Sequence, residues 1–121
     1  MNLLVRMWSI EPSTQFLRDS KWYEKKRPDE LAAALNNVQR FLVLLNVSKS
    51  FKCVQAGYLH KEPSGIIAVD QKGHAGNLQE TRLYTFGIEC AKTLHLITIG
   101  SKDTQHSDIE YSKKYVQSLS T

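Results

Sequence analysis

Leu31, Leu35, Val38, Leu42 and Leu45 recur at intervals of 4, 3, 4 and 3. That spacing places all five on one face of a helix. Pro28 suits the first turn of this helix, where its missing N–H is no loss, and Asp29 and Glu30 sit at the positive end of the helix dipole. Ala32, Ala33 and Ala34 favour helix and let a neighbouring helix come close. That neighbour is predicted just upstream. Ser13 can cap a helix over about Thr14 to Lys26, with Phe16, Leu17, Trp22 and Tyr23 as its apolar members and Lys25-Lys26-Arg27 at its end. About two residues separate the helices, so an antiparallel hairpin is expected.

From Lys52 onward the apolar period shifts towards two. Strands are predicted over about 53–61, 65–72, 81–88 and 93–100, and a first strand over Leu3 to Ile10, ended by Pro12. The short connections imply an antiparallel meander. Ser107 and Glu110 have capping-box spacing and start a last helix. It places Ile109, Ser112, Val116 and Leu119 on one side and Lys113 and Lys114 on the other. The order β-α-α-β-β-β-β-α is an α+β fold: an N-terminal strand and a two-helix hairpin packed on a mainly antiparallel four- to five-stranded sheet, followed by a C-terminal helix. The hairpin stripe should be buried against Leu59, Ile67 and Leu83.

At 121 residues the chain, 1–121, is expected to be one domain. Its longest apolar run, Phe41 to Leu45, is far short of the ~20 residues that span a membrane, and no signal peptide is read at the N-terminus. A cytoplasmic protein with no membrane association is expected. Cys53 at the start of a predicted strand and Cys90 just past another read as small buried thiols. The four histidines lack zinc-finger spacing, Gly73-His74-Ala75-Gly76 has no Gly-Lys-Ser/Thr after it, and no metal or other cofactor is expected. The net charge of +4 favours polyanion partners. It is spread along the chain, so it becomes a binding surface only where folding gathers the cations.

Helices on one face of a sheet make a core and leave the other face free for polar residues. Alternation along the strands puts Tyr58, His60, Asp70, Lys72, Arg82 and Tyr84 on that open face, with Lys102 just past the last strand. Phe86 and Ile88 fall on the Arg82 side as well, against this sorting. Such a cluster has the parts for RNA cleavage without a metal: a base for the 2′-hydroxyl, cations for the scissile phosphate, an acid for the leaving oxygen and rings for base stacking. His60 is the expected acid/base. Arg82, Lys72 and Lys102 are the expected catalytic cations. Tyr84, Tyr58, Asp70 and His74, the last in a glycine-containing loop, are the expected substrate-binding residues. Arg82 also has a purely structural alternative, an ion pair with Asp70 across neighbouring strands.

Ala56-Gly57-Tyr58-Leu59-His60 resembles the second strand of RelE- or HigB-type toxins. Thr81-Arg82-Leu83-Tyr84-Thr85-Phe86 is similar to their arginine-bearing strand. Ile97-Thr98-Ile99-Gly100-Ser101-Lys102, followed by Asp108-Ile109, is similar to their last strand and helix. Together with the hairpin, these segments give nearly the whole chain a resemblance to the RelE/ParE toxin superfamily. The resemblance implies a type II toxin held by a cognate antitoxin protein and acting on ribosome and mRNA as a metal-independent, ribosome-dependent endoribonuclease. By position it makes Arg82 the phosphate-binding strand arginine, Lys102 the cation after the last strand, and Lys72 with Asp70 the polar residues of the middle strand. The same superfamily holds ParE-type members that act on DNA gyrase and members without known nuclease activity. A non-enzymatic gyrase inhibitor or inactive protein-binding relative is therefore the alternative.

Overall fold

The structure, a computed structural model, describes residues 6–119. β1 (Ser9–Pro12) leads into α1 (Thr14–Lys26) and α2 (Pro28–Val47), and then β2 (Leu59–Lys61), β3 (Ile67–Asp70), β4 (Thr81–Ile88), β5 (Thr93–Ser101) and α3 (Gln105–Leu119) follow. The strand order is β1-β5-β4-β3-β2. β2 to β5 form the expected antiparallel meander, while β1 joins the edge of β5 in parallel. The sheet is thus mixed, with an α+β architecture as expected.

The hairpin forms where the sequence places it. Ser13 caps α1 by accepting from the Phe16 amide at 2.9 Å, and Pro28 opens α2. Leu31, Val38 and Leu45 are buried, Leu35 and Leu42 pack beside them, and all meet Ile67, Val69 and Leu83 in the main core, with Leu59 at its margin. Phe16 and Tyr23 turn inward from α1, whereas Leu17 and Trp22 remain about half exposed.

Several local expectations are corrected. The first strand runs over Ser9–Pro12 instead of ending before the proline, which an edge strand tolerates; Leu3 to Val5 of the expected strand lie outside the described residues. The strand expected over 53–61 is cut to Leu59–Lys61, because Phe51–Cys53 winds into a 3₁₀ turn. The next begins only at Ile67, since Ser64 and Gly65 take left-handed φ of 64° and 76°, which no strand accommodates. Cys53 and Cys90 are exposed free thiols, one at the end of that 3₁₀ turn and one in the β4–β5 turn. The cap before α3 is Ser101 with Thr104, and Ser107 lies inside the helix, its hydroxyl bonded back to the Thr104 carbonyl.

The largest correction concerns the second face of the sheet. It is not open. α3 packs across β4 and β5 there, and Ile66, Ala68, Tyr84 and Ile97 form a second apolar cluster with Phe86, Ile109, Tyr115 and Val116. A bulge between Tyr84 and Thr85 in the β4–β5 register lets Ile97 point into this cluster while Leu96 and Ile99 serve the main one.

His95 is buried under α3, its Nδ1 3.0 Å from the Tyr115 hydroxyl. Burial holds its imidazole below the usual 6.5, with Glu11 acting weakly the other way. The unfolded chain therefore binds the proton more readily than the folded one. The resulting stability is complete above about pH 6.5 and is lost as pH falls towards the depressed folded value. Urea midpoints measured from about pH 7.5 to 5.5 should decline in the wild type, with a smaller decline in His95→Gln; equal slopes would refute this.

Candidate functional site

The polar residues on β2, β3 and β4 gather where β3 ends and β4 begins. Asp70 is their hub. It is the last residue of β3, only 1% exposed, and a buried carboxylate requires partners. Its Oδ2 lies 2.5 Å from His60 Nε2 and 3.6 Å from the Lys72 ammonium, and its Oδ1 accepts from the Lys72 amide at 2.7 Å. With Asp70 ionised, His60 Nε2 must carry the hydrogen. That leaves the lone pair of the neutral ring on Nδ1. Register explains the meeting: His60 pairs with Ala68, so its side chain lies diagonal to Asp70 on the same sheet face. The His60 side chain is 26% exposed and that of Lys72 62%, so the pair opens to solvent through these two residues.

Arg82 stands directly across from Asp70 in the β3–β4 register but does not pair with it. Asp70 is taken by His60 and Lys72. The Arg82 guanidinium turns instead to Glu62, 3.1 Å from Nη1, and Glu80, 3.3 Å from Nη2, while its Nε is buried without a partner among the described residues. Neither the ion pair with Asp70 nor a free phosphate clamp describes this side chain. Glu62 and Glu80 were missed by the sequence reading, although both flank the strands that carry the cluster.

Tyr84 is fully buried beneath α3, and its hydroxyl has no partner among the described residues. Burial first, then Asp108 and Glu62, drive its phenol pKa far above 10. Tyr58 lies in the main core, on the other side of the sheet, with the Arg40 guanidinium carbon 4.8 Å from its ring centroid. Burial raises its phenol pKa and Arg40 opposes that. Neither ring presents a face on which a base could stack, because each is used in packing. His74 is held apart from His60, against α2, with its Nε2 3.0 Å from Asn37 Oδ1. Lys102 is exposed in the turn after β5, two residues beyond Gly100, the register partner of Arg82. The fold therefore joins His60, Asp70 and Lys72, places Arg82 on the neighbouring strand and Lys102 in the turn after β5, and removes Tyr58 and Tyr84 from the surface.

Asn37 is the other residue that sequence reasoning missed. It is completely buried on α2 and donates to the carbonyls of Asp70 and Lys72 at 2.8 and 2.9 Å. Its position was a usable signal, three residues after Ala34 and four before Phe41 on the core-facing side of the helix. Among the described residues no group of three or more His, Cys, Asp or Glu side chains is arranged to hold a metal ion. A separate groove of about 430 Å³ runs between α1 and α3, lined by Asp19, Trp22, Tyr23, Asp108 and Tyr111 among others; none of the expected catalytic residues lines it.

No protein-family model matches the chain, and no curated protein matches it by sequence. Among solved structures it is similar to the crystal structure of YafQ from E. coli, with a TM-score of 0.51 and 20% identity over 82% of this chain and 98% of that one. The fold is YafQ/RelE-like. The resemblance read from the order of short motifs is thus matched in three dimensions at the level of fold, over nearly all of YafQ. Among the described residues no helix is long and apolar enough to cross a membrane.

Proposed function

We propose that this protein is the toxin of a type II toxin–antitoxin module and a metal-independent, ribosome-dependent mRNA endoribonuclease. The observation that carries the reading is the His60–Asp70 contact of 2.5 Å, with Lys72 on the same carboxylate, on a sheet of YafQ/RelE-like fold. YafQ is a RelE-family toxin of such a module. Asp70 orients His60 so that Nδ1 accepts the 2′-hydroxyl proton. The 2′-oxygen then attacks the adjacent phosphorus, the bond to the 5′-oxygen breaks, and a 2′,3′-cyclic phosphate results. Lys72 is the adjacent acid for the departing 5′-oxygen, and its charge with that of Lys102 opposes the charge developing on the phosphate. Arg82 joins them when the negative phosphate draws it from Glu62 and Glu80. His74 contacts the RNA from the α2 side. The ribosome as target makes the cytoplasm the place of action.

A cognate antitoxin completes the reading. An acidic or amphipathic segment would screen the cationic surface that otherwise binds RNA indiscriminately. One observation favours a second reading, that of a non-enzymatic member of the fold, either a gyrase inhibitor or an inactive protein-binding relative: both outer guanidinium nitrogens of Arg82 already face carboxylates. The test is to express the chain with the protein encoded beside it, separate the two, and add the freed, folded chain to a translating extract. Cleaved mRNA is the expected result. Intact mRNA with inhibited gyrase supercoiling moves the assignment to the second reading. Failure of the neighbouring protein to bind, even at low salt, overturns the toxin–antitoxin assignment.

A further inference from the structure

The Asn37 side chain makes four hydrogen bonds while wholly inaccessible to solvent. Its Nδ2 faces two carbonyl oxygens, which fixes the amide orientation, since only the NH₂ end can donate to both. Those carbonyls belong to Asp70 and Lys72, so the amide brackets the exit of β3 around Gln71. The bend held in this way returns the Lys72 amide to Asp70 Oδ1 and leaves Oδ2 to His60. Oδ1 of Asn37 accepts from Arg40 Nη1 at 3.2 Å and meets His74 Nε2 at 3.0 Å. Arg40 in turn lies on the Tyr58 ring, and the Tyr58 carbonyl accepts from the Asp70 amide at 2.9 Å. Asp70 is thus gripped by α2 along two routes that meet at one side chain.

We infer that Asn37 is the positioning residue of the His60–Asp70–Lys72 cluster, and that the same amide holds His74 as a donor through Nε2, with its lone pair on Nδ1. The inference rests on the proposed nuclease function for its catalytic consequence, but its geometry is testable without substrate. A buried amide with both donors on main-chain carbonyls fixes the backbone from which the carboxylate projects. Displacing a reacting group by about 1 Å is enough to lower a rate about 10²-fold.

Asn37→Asp is the informative variant, because it keeps the shape and removes both donors. Asn36→Asp, the same chemical change at the exposed neighbouring position, is the control. The spectroscopic signature is the imidazole ¹H–¹⁵N spectrum. In the wild type and in Asn36→Asp, His60 and His74 should both show the Nε2–H form with a proton slow to exchange. In Asn37→Asp the His60 signal should lose that protection while the amide spectrum of the sheet persists, whereas His74, whose acceptor oxygen the aspartate keeps, should hold its Nε2–H form. In the cleavage assay kcat should fall about 10²-fold with KM within about twofold. If Asn37→Asp fails to fold, Asn37→Ser, which keeps one donor, is read in the same way and should show partial loss of the His60 signal. An unchanged His60 spectrum in a folded Asn37 variant overturns the inference, as does a wild type in which either ring carries its hydrogen on Nδ1. An inactive wild type with the expected spectra would count against the nuclease reading and leave the positioning intact.

Discussion

His60→Ala should lower mRNA cleavage in a translating extract by about 10²–10⁴-fold, the usual contribution of a positioned acid/base. The folded state should survive, because His60 sits at the margin of the sheet with its side chain 26% exposed. Asp70→Asn should be nearly as damaging by a different route. The asparagine keeps the volume but presents either an amide hydrogen or a weaker acceptor to His60 Nε2, so the ring loses both its orientation and the fixed position of its lone pair. Arg82→Ala should reduce the rate less than His60→Ala, since its guanidinium must first leave Glu62 and Glu80. Single-turnover cleavage by the three purified variants, each checked for folding, is the measurement. A folded His60→Ala protein that cleaves at the wild-type rate would end the assignment of this residue.

Phe41→Ala should lower stability by about 3–5 kcal/mol, the range found for emptying a buried aromatic site. Phe41 is fully buried on α2, and its ring lies 5.9 Å from that of Phe51, which in turn packs against Trp8 and Phe86. This chain of rings ties the hairpin to the 3₁₀ turn before β2 and to the far end of β4. The cavity would therefore loosen three segments together, with little chance of collapse. At about 3–5 °C per kcal/mol, between the values for smaller and larger domains, the melting temperature should drop by roughly 10 °C or more. A shift of only a degree or two would show that the site repacks.

Much of the fold could be read from the residues. Ser13, Pro28 and the leucine stripe give α1 and α2 with their observed limits, because caps and helical periodicity are local signals. β4 and the body of β5 were equally legible from their β-branched and aromatic content. What failed was the sorting of sheet faces. Alternation reports one buried face, but this sheet is covered on both. The signal for that was the unbroken run Ile66-Ile67-Ala68-Val69, buried throughout, together with Phe86 on the supposedly polar side. The site divided along the same line. His60 and Asp70 meet because register brings them together at a strand end, and Lys72 returns to the same carboxylate from the bend just past β3. Tyr84 was lost because it lies where α3 packs, and Tyr58 because it lies before the start of β2, where strand alternation no longer applies. The engagement of Arg82 by Glu62 and Glu80 depended on where Asp70 had already been committed, which no reading of one strand at a time can supply.

The parallel pairing of β1 with β5 fixes an order of events during synthesis. Ser13 reaches across to the Ile97 carbonyl over 84 residues, and Ser9 stands opposite Thr93. Closing a loop of that length carries an entropy of roughly 4 kcal/mol before any contact offsets it. At about 5–20 residues per second, some 4–17 s separate the emergence of the two partners from the ribosome. During that interval the free flank of β5 does not yet exist, and Trp8 has no sheet to cover. Completion of the sheet is therefore deferred until β5 has been made, and the first strand waits at the ribosome for a partner some 84 residues behind it.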